Sequence, residues 1–265
     1  MIAGIFHEGS GLGNQLHRYV ATRVLTLDKG YSFGMVAPGN FKGASFINID
    51  MGGDLEKGFN NIELVTEVER GTGRVITHPT VPLWQEKTNY YNPEFNFIED
   101  NTIIDGEFQD ERYFSHRMNE VAEWLKTECV EPLDDLCVIG FRGGEYYLFP
   151  ELGLPKSYFE EGIERMKKIN PKMKFEVHTD DPKLARQFFP EYPIVQSVEH
   201  NWQAVRYAKY AIIANSSFYI LPRLLRHHKP EYTREPVTIA PRYWARRNTK
   251  EWSRPDNFYR AFQYI

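Results

Sequence analysis

Apolar residues fill positions 1–6, Met-Ile-Ala-Gly-Ile-Phe, with the density of one buried strand. They then recur at Leu16, Tyr19, Val20, Val24 and Leu27, the spacing of a one-sided helix. Gly9-Ser-Gly-Leu-Gly13 lies between, so the chain opens as strand, glycine turn, helix. Tyr31–Val36 reads as a second strand, and residues 37–62, rich in Gly and Asn without a clear period, as a long loop region. Residues 101–105 predict a short strand, then a turn and a helix carrying Met118, Val121, Trp124 and Leu125. The acidic, proline-containing stretch 128–135 marks a boundary between lobes.

The second half repeats the theme. Strands are expected at Leu136–Phe141, Met173–Thr179, Pro193–Gln196 and Tyr210–Ala214. Helices are expected at Tyr158–Ile169, Ala185–Phe189, Trp202–Lys209 and Tyr219–His227. Strands alternating with helices make right-handed βαβ units and a parallel sheet. The expected fold class is α/β, with two lobes and a cleft between them.

Ligands of open parallel sheets bind beyond the carboxyl ends of the strands. Four polar clusters fall at such ends: the glycine turn with Gly11, Gly13 and Asn14; Arg142 with Glu145; Thr179-Asp180-Asp181; and Asn215-Ser216-Ser217. The turn is no P-loop, because Gly13 is followed by Asn14-Gln15 rather than Lys-Ser/Thr. It is no dinucleotide fingerprint either, because the second strand runs into Ala37-Pro38 without an acid. Its glycines would let backbone N–H groups and a helix N-terminus approach an anion. Arg142, followed by two glycines, offers a bidentate fork for phosphate, or else pairs with Glu145 on the surface. Ser216 and Ser217 read equally as helix caps or phosphate donors. Asp180-Asp181-Pro182 is either a helix opening or a ribose holder.

Composition adds exclusions. The chain has 265 residues, 42% hydrophobic and 26% charged, with net charge −4, which is no footprint of a nucleic-acid binder. Aromatics reach 15%, for which a bulky core is the simpler account and a sugar-binding surface the other. Cys129 and Cys137 form neither a disulfide framework nor a metal site, and His178, His200, His227 and His228 lack metal-ligand spacing. No apolar run has the length of a signal peptide or membrane span, so a cytoplasmic setting is expected. That setting also makes use of the glycosylation sequon Asn215-Ser-Ser217 unexpected. The basic stretch Arg242–Arg247, with Lys250 and Arg254, reads either as a screen for an anionic ligand across the cleft or as a surface-docked tail.

Five segments, in order, carry a family resemblance. Gly11-Leu-Gly-Asn-Gln15 resembles the G-x-L-G-N-Q motif of glycosyltransferase family 11, the α-1,2-fucosyltransferases. Asp105-Gly-Glu-Phe-Gln109 with Tyr113-Phe114 is similar to G-[YF]-[FW]-Q-x-x-x-Y-F, and Phe141-Arg-Gly-Gly-Glu-Tyr146 to H-x-R-R-G-D-Y. Thr179-Asp-Asp-Pro182 resembles S-D-D, and Asn215-Ser-Ser-Phe218 resembles N-S-[ST]-F. Gly140, Gly143 and Glu145 stand where the motif has His, a second Arg and Asp; Tyr219-Ile220 stands for a Trp pair.

The resemblance implies a GT-B-like fold of two Rossmann-type lobes and inverting transfer of L-fucose from a GDP-sugar to a glycan hydroxyl. The GDP-sugar is a co-substrate, with no metal or other cofactor. The implied lobes are residues 1–130 on the acceptor side and 131–240 on the nucleotide-sugar donor side, with a tail, 241–265, packing back on them. Arg142 would clamp the leaving diphosphate, and Ser216, Ser217 and Phe218, with Asn215 beside them, would hold the diphosphate and guanine side. Asp180 or Asp181, following Thr179, would approach the nucleoside, while Asn14 with Gly11 and Gly13 would face sugar and acceptor. Glu145 is the candidate base by position. The alternatives are another nucleotide deoxy-sugar as donor, or a carbohydrate- or nucleotide-binding protein without turnover. Acceptor, linkage and oligomeric state stay open.

Overall fold

Parallel strands bury both faces, and the apolar runs of this chain do so. The computed structural model describes residues 1–59, 64–68, 75–79, 81–87, 90–127, 133–149, 151–228, 235–243 and 259–265. Its first part runs β1 (Ile2–Ile5), α1 (Leu12–Lys29), β2 (Phe33–Val36), α2 (Leu55–Gly58), β3 (Leu64–Val68), β4 (Val75–Pro79), β5 (Leu83–Gln85), β6 (Thr102–Asp105) and α3 (Met118–Trp124). Four of these strands form a parallel sheet of order β2-β1-β6-β5, and β3 and β4 make a separate antiparallel pair. α1 buries Leu16, Tyr19, Val20 and Val24 and ends at Gly30, whose φ of 69° is the left-handed cap that glycine adopts without strain.

The second part runs β7 (Leu133–Phe141), α4 (Lys156–Ile169), β8 (Lys174–Thr179), α5 (Pro182–Phe188), β9 (Ile194–Val195), α6 (Val198–Tyr207), β10 (Ala208–Ile213), α7 (Ser217–His228), β11 (Val237–Ala240) and β12 (Gln263–Tyr264). All six strands are parallel, in the order β12-β11-β10-β7-β8-β9. Every residue of β10 is buried. The buried Arg223 ties α7 to this sheet by donating to the carbonyls of Val205, Ala208 and Val237 and to Thr238 Oγ1. The expected α/β class, with its strands in two separate parallel sheets, is therefore the observed one.

Each sheet reverses its strand order once. In the first, the chain leaves β1 toward β2 and later returns to β6 on the other side; in the second, it leaves β7 toward β8 and returns to β10. The loops after β1 and β6, and those after β7 and β10, diverge at these switch points and open a crevice.

Several elements differ from expectation. α6 starts at Val198, where the Ser197 side chain accepts from His200 N–H, and stops at Tyr207. Ala208 and Lys209 belong to β10 because Ala208 already pairs with Leu133. α5 and α7 begin earlier than expected, at Pro182 and Ser217. The strands β3, β4, β5, β11 and β12 are additions to the sequence reading, and the loop region contains α2. Cys137 is buried, which pushes its thiol up; Cys129 lies outside the described residues.

Candidate functional site

The glycine turn brings α1 against the other lobe. Gly11 caps α1 without a side chain, and Gly9 holds φ 79°. A Cβ on Gly13 would stand 2.3 Å from the Phe218 nitrogen and 2.4 Å from the Ser217 carbonyl carbon. What Gly13 lets close is thus the backbone at the start of α7. Next to it, Asn14 Oδ1 accepts from Ser217 Oγ and, at 3.2 Å, from Gln109 Nε2. Gln15 donates to Asn40 O at 2.7 Å and accepts from Lys42 N–H at 2.9 Å, which fixes the loop after β2. The Gly-Asn-Gln stretch therefore joins the lobes, bridges them and orders a third loop.

A cleft of about 1580 Å³ opens over this junction. Its C-terminal wall carries Arg142, directly after β7, with 31% of its side chain exposed. The guanidinium donates Nη1 to Asp180 Oδ2 and Nη2 to Glu145 Oε1 at 3.3 Å, and lies 5.0 Å from the Tyr146 ring centroid. Asp180 also accepts from Gly143 N–H at 2.8 Å, so the Arg142 loop is pinned to the end of β8. The Thr179 hydroxyl accepts from Asp181 N–H, and Asn215 Nδ2 donates to Leu152 O at 3.0 Å. The Phe218 ring meets Trp202 and Tyr219 edge-on. Tyr219 fills the space over Gly140, where a Cβ would stand 3.0 Å from its ring. Burial pushes its phenol up, and the hydroxyl donates to His178 O at 3.1 Å.

All the candidate residues named from the sequence line this cleft except Asp181. Asp181 instead accepts from Leu184 N–H as the cap of α5 and from Gly144 N–H. The acid-then-proline pattern is here a helix opening. Arg142 and Glu145 are paired, the surface alternative, while also facing the cleft. Arg242 lies at a separate small hollow beside Leu154 and Tyr158, where its N–H donates to Ile265 O; Arg246, Arg247, Lys250 and Arg254 lie outside the described residues.

The N-terminal wall adds Lys42 and Glu86, and also Glu107 and Gln109, which lie in the quoted 105–109 motif but carry no role in the sequence pattern. Glu86 follows β5 and Glu107 follows β6, at the carboxyl ends where an open sheet binds. Glu86 Oε2 accepts from the N–H groups of Glu107 and Phe108 at 2.8 and 2.9 Å. Burial still pushes its carboxyl above the usual range. Glu107 accepts from Arg18 Nη2 at 3.0 Å. That both acids follow strands was the available signal, and β5 was the missing strand.

Among the described residues, no helix is long and apolar enough to cross a membrane. No family model matches the chain, and no curated protein matches it. Among solved structures, the crystal structure of fucosyltransferase NodZ from Bradyrhizobium is similar over 85% of this chain and 93% of its own, with 14% identity and a TM-score of 0.45. Its selenomethionine form gives 14% identity, 85% and 92% coverage, and a TM-score of 0.44. Both likenesses concern the path of the chain, and neither singles out the α-1,2 family whose motifs the sequence resembles.

Proposed function

We propose that this chain is a glycosyltransferase that moves a sugar, L-fucose by the motif resemblance, from a GDP-sugar to a glycan hydroxyl with inversion. One observation carries the reading. Segments spread from Gly11 to Phe218, each resembling a motif of one family, converge on a single cleft at the switch points of two parallel sheets. In this reading Arg142 faces the donor diphosphate and stabilises the charge that grows on the leaving group. Its contact with Glu145 is no obstacle. Glu145 is 63% exposed, and an exposed ion pair contributes about 0–1 kcal/mol, little against a phosphate partner. The start of α7, with Ser216 and Ser217, supplies N–H groups and hydroxyls on the same wall.

A second reading, binding of carbohydrate or nucleotide without turnover, is favoured by one feature: both amino ends of the Arg142 fork already contact carboxylates. A thermal-shift series separates the readings. GDP should raise the melting temperature more than UDP or dTDP, by an amount that grows with ligand concentration and reaches about 2.7 kcal/mol of stabilisation at a hundredfold excess over Kd. EDTA should leave the shift in place, and GDP-fucose should be consumed. A shift without consumption supports binding alone. Equal response to all three nucleotides would sink the GDP assignment.

A further inference from the structure

We propose that Glu107, on the N-terminal wall of the cleft, is the base that takes the proton of the acceptor hydroxyl. This rests on the glycosyltransferase reading above. In the motif that residues 105–109 resemble, the position after the glycine is Tyr or Phe; this chain has a carboxylate there.

The surrounding structure is built around that position. Arg18, on α1 and only 8% exposed, donates Nη2 to Glu107 Oε1 at 3.0 Å and Nε to Gly106 O at 2.6 Å. Glu86 accepts from the Glu107 and Phe108 N–H groups and so holds Phe108 at φ 46°. A Cβ on Gly106 would stand 2.5 Å from Glu86 Cβ, so only glycine fits the turn. Gln109 Nε2 lies 3.5 Å from Glu107 Oε2 and 3.2 Å from Asn14 Oδ1, and Asn14 in turn accepts from Ser217. Polar contacts thus run without a break from Glu107 to the first residue of α7, where the donor wall begins. A solvated surface glutamate has no use for a buried arginine, a half-buried second glutamate and a left-handed phenylalanine.

Stereochemistry favours Glu107 over Glu145. Inversion places the attacking hydroxyl and its base on the face of the sugar opposite the leaving group. Glu145 contacts Arg142 on the wall that would take the diphosphate, whereas Glu107 stands on the other wall. As the acceptor oxygen bonds to the anomeric carbon, its proton passes to Glu107. The bond from that carbon to the phosphate oxygen breaks, and its electron pair leaves on the diphosphate facing Arg142. Glu107, 43% exposed, then returns the proton to water. The charged groups around it are Arg18 from α1, Glu86 from the end of β5, and Asp105, itself 2.8 Å from His7.

The test compares wild type, Glu107→Gln and Glu107→Asp, with GDP-fucose as donor and a panel of free disaccharides as acceptors. GDP release against pH and GDP binding by calorimetry are both measured. Glu107→Gln should lower kcat about 10²- to 10⁴-fold, the range of a general base, and lose the acidic limb of the kcat/KM profile. Its GDP Kd should stay within about threefold, far below the effect of a charge that acts on the leaving group. Glu107→Asp should keep the limb at a reduced rate. A Glu107→Gln protein within about threefold of wild type, or one that keeps the acidic limb, overturns the role of Glu107 and leaves the transferase reading standing. A wild-type protein that neither binds GDP nor consumes GDP-fucose overturns both.

Discussion

Replacing Gly13 by Ala adds one methyl group where the two lobes touch. The new carbon would meet the Phe218 nitrogen at 2.3 Å, the Ser217 carbonyl carbon at 2.4 Å and Ser217 Oγ at 2.6 Å. Two of these are backbone atoms, which cannot turn aside as a side-chain tip can. Ordinary contact begins near 3.4 Å, so α1 and α7 must separate by about 1 Å. Overpacking of this kind costs about 1–3 kcal/mol. Alanine's better helix propensity offsets up to about 1 kcal/mol of that, and less in a first helical turn. A net loss of about 1–2 kcal/mol follows, or a fall in Tm of roughly 3–6 °C for a chain of this size. The same displacement stretches the Asn14–Ser217 contact on the cleft floor, and a misplacement of about 1 Å can reduce turnover about a hundredfold.

Gly11→Ala is the matched control. Nothing lies within 4 Å of a Cβ there, and φ −68° suits alanine. The two variants go through urea unfolding and GDP-fucose turnover side by side. Equal stability and equal turnover would mean that the lobes do not meet at Gly13 as described, and the account of the glycine turn would fall.

Two further outcomes concern charge. Arg142→Lys keeps the charge but loses the planar fork, so donor turnover should fall by roughly two to three orders of magnitude while GDP affinity falls much less; an unchanged rate in the folded variant would reduce Arg142 to a partner of Asp180 and Glu145. His17 is buried with Nδ1 on Gly13 O, and burial pushes its pKa down to about 4; the unfolded chain takes the proton first, so His17 costs stability increasingly as pH falls from about 6.5 to 4, by up to about 3 kcal/mol. His17→Gln should flatten that part of the stability–pH curve, measured by urea midpoints, and an unaltered slope would contradict the burial of the ring.

The sequence showed the central strands because they are buried on both faces and read as apolar runs: all six residues of β10 are buried, as are the first three of β1. β5 escaped because a three-residue edge strand half faces water, with Leu83 at 53% exposure. Helix boundaries slipped where one element follows another without a loop, as at Tyr207–Ala208, because pairing with Leu133 rather than local propensity sets the change. The site was legible at strand ends, since strand ends are local and topology does the rest. Its partners were not. A glycine in such a turn suggests room for an anion, whereas the group Gly13 admits is the backbone of Ser217 and Phe218, some 200 residues away in the chain and outside any local pattern. Glu107 lay inside a quoted motif, yet its weight comes from Arg18 and Glu86, which only the fold brings beside it.

The two glycines that break the resembled motif pattern, Gly140 and Gly143, both lie under close packing. Gly140 stands where the motif has His, and the ring of Tyr219, standing for Trp, occupies the space above it at 3.0 Å. Gly143 stands for the second Arg, and a side chain there would meet Asp181 Cβ at 2.5 Å. Neither glycine could take a larger side chain alone, because the neighbour packed against it would have to move. The C-terminal wall of the cleft presents one guanidinium, that of Arg142, and the remaining cations among the described residues lining the cleft, Lys42 and Lys87, stand on the opposite lobe. Against these three cations stand the carboxylates Glu86, Glu107, Glu145 and Asp180. In the proposed reading, a bound diphosphate would draw balancing charge from Arg142 on one wall and from these lysines on the other. On that reading the tight junction where Gly13 and Asn14 meet the start of α7 bears on donor binding as well as on stability.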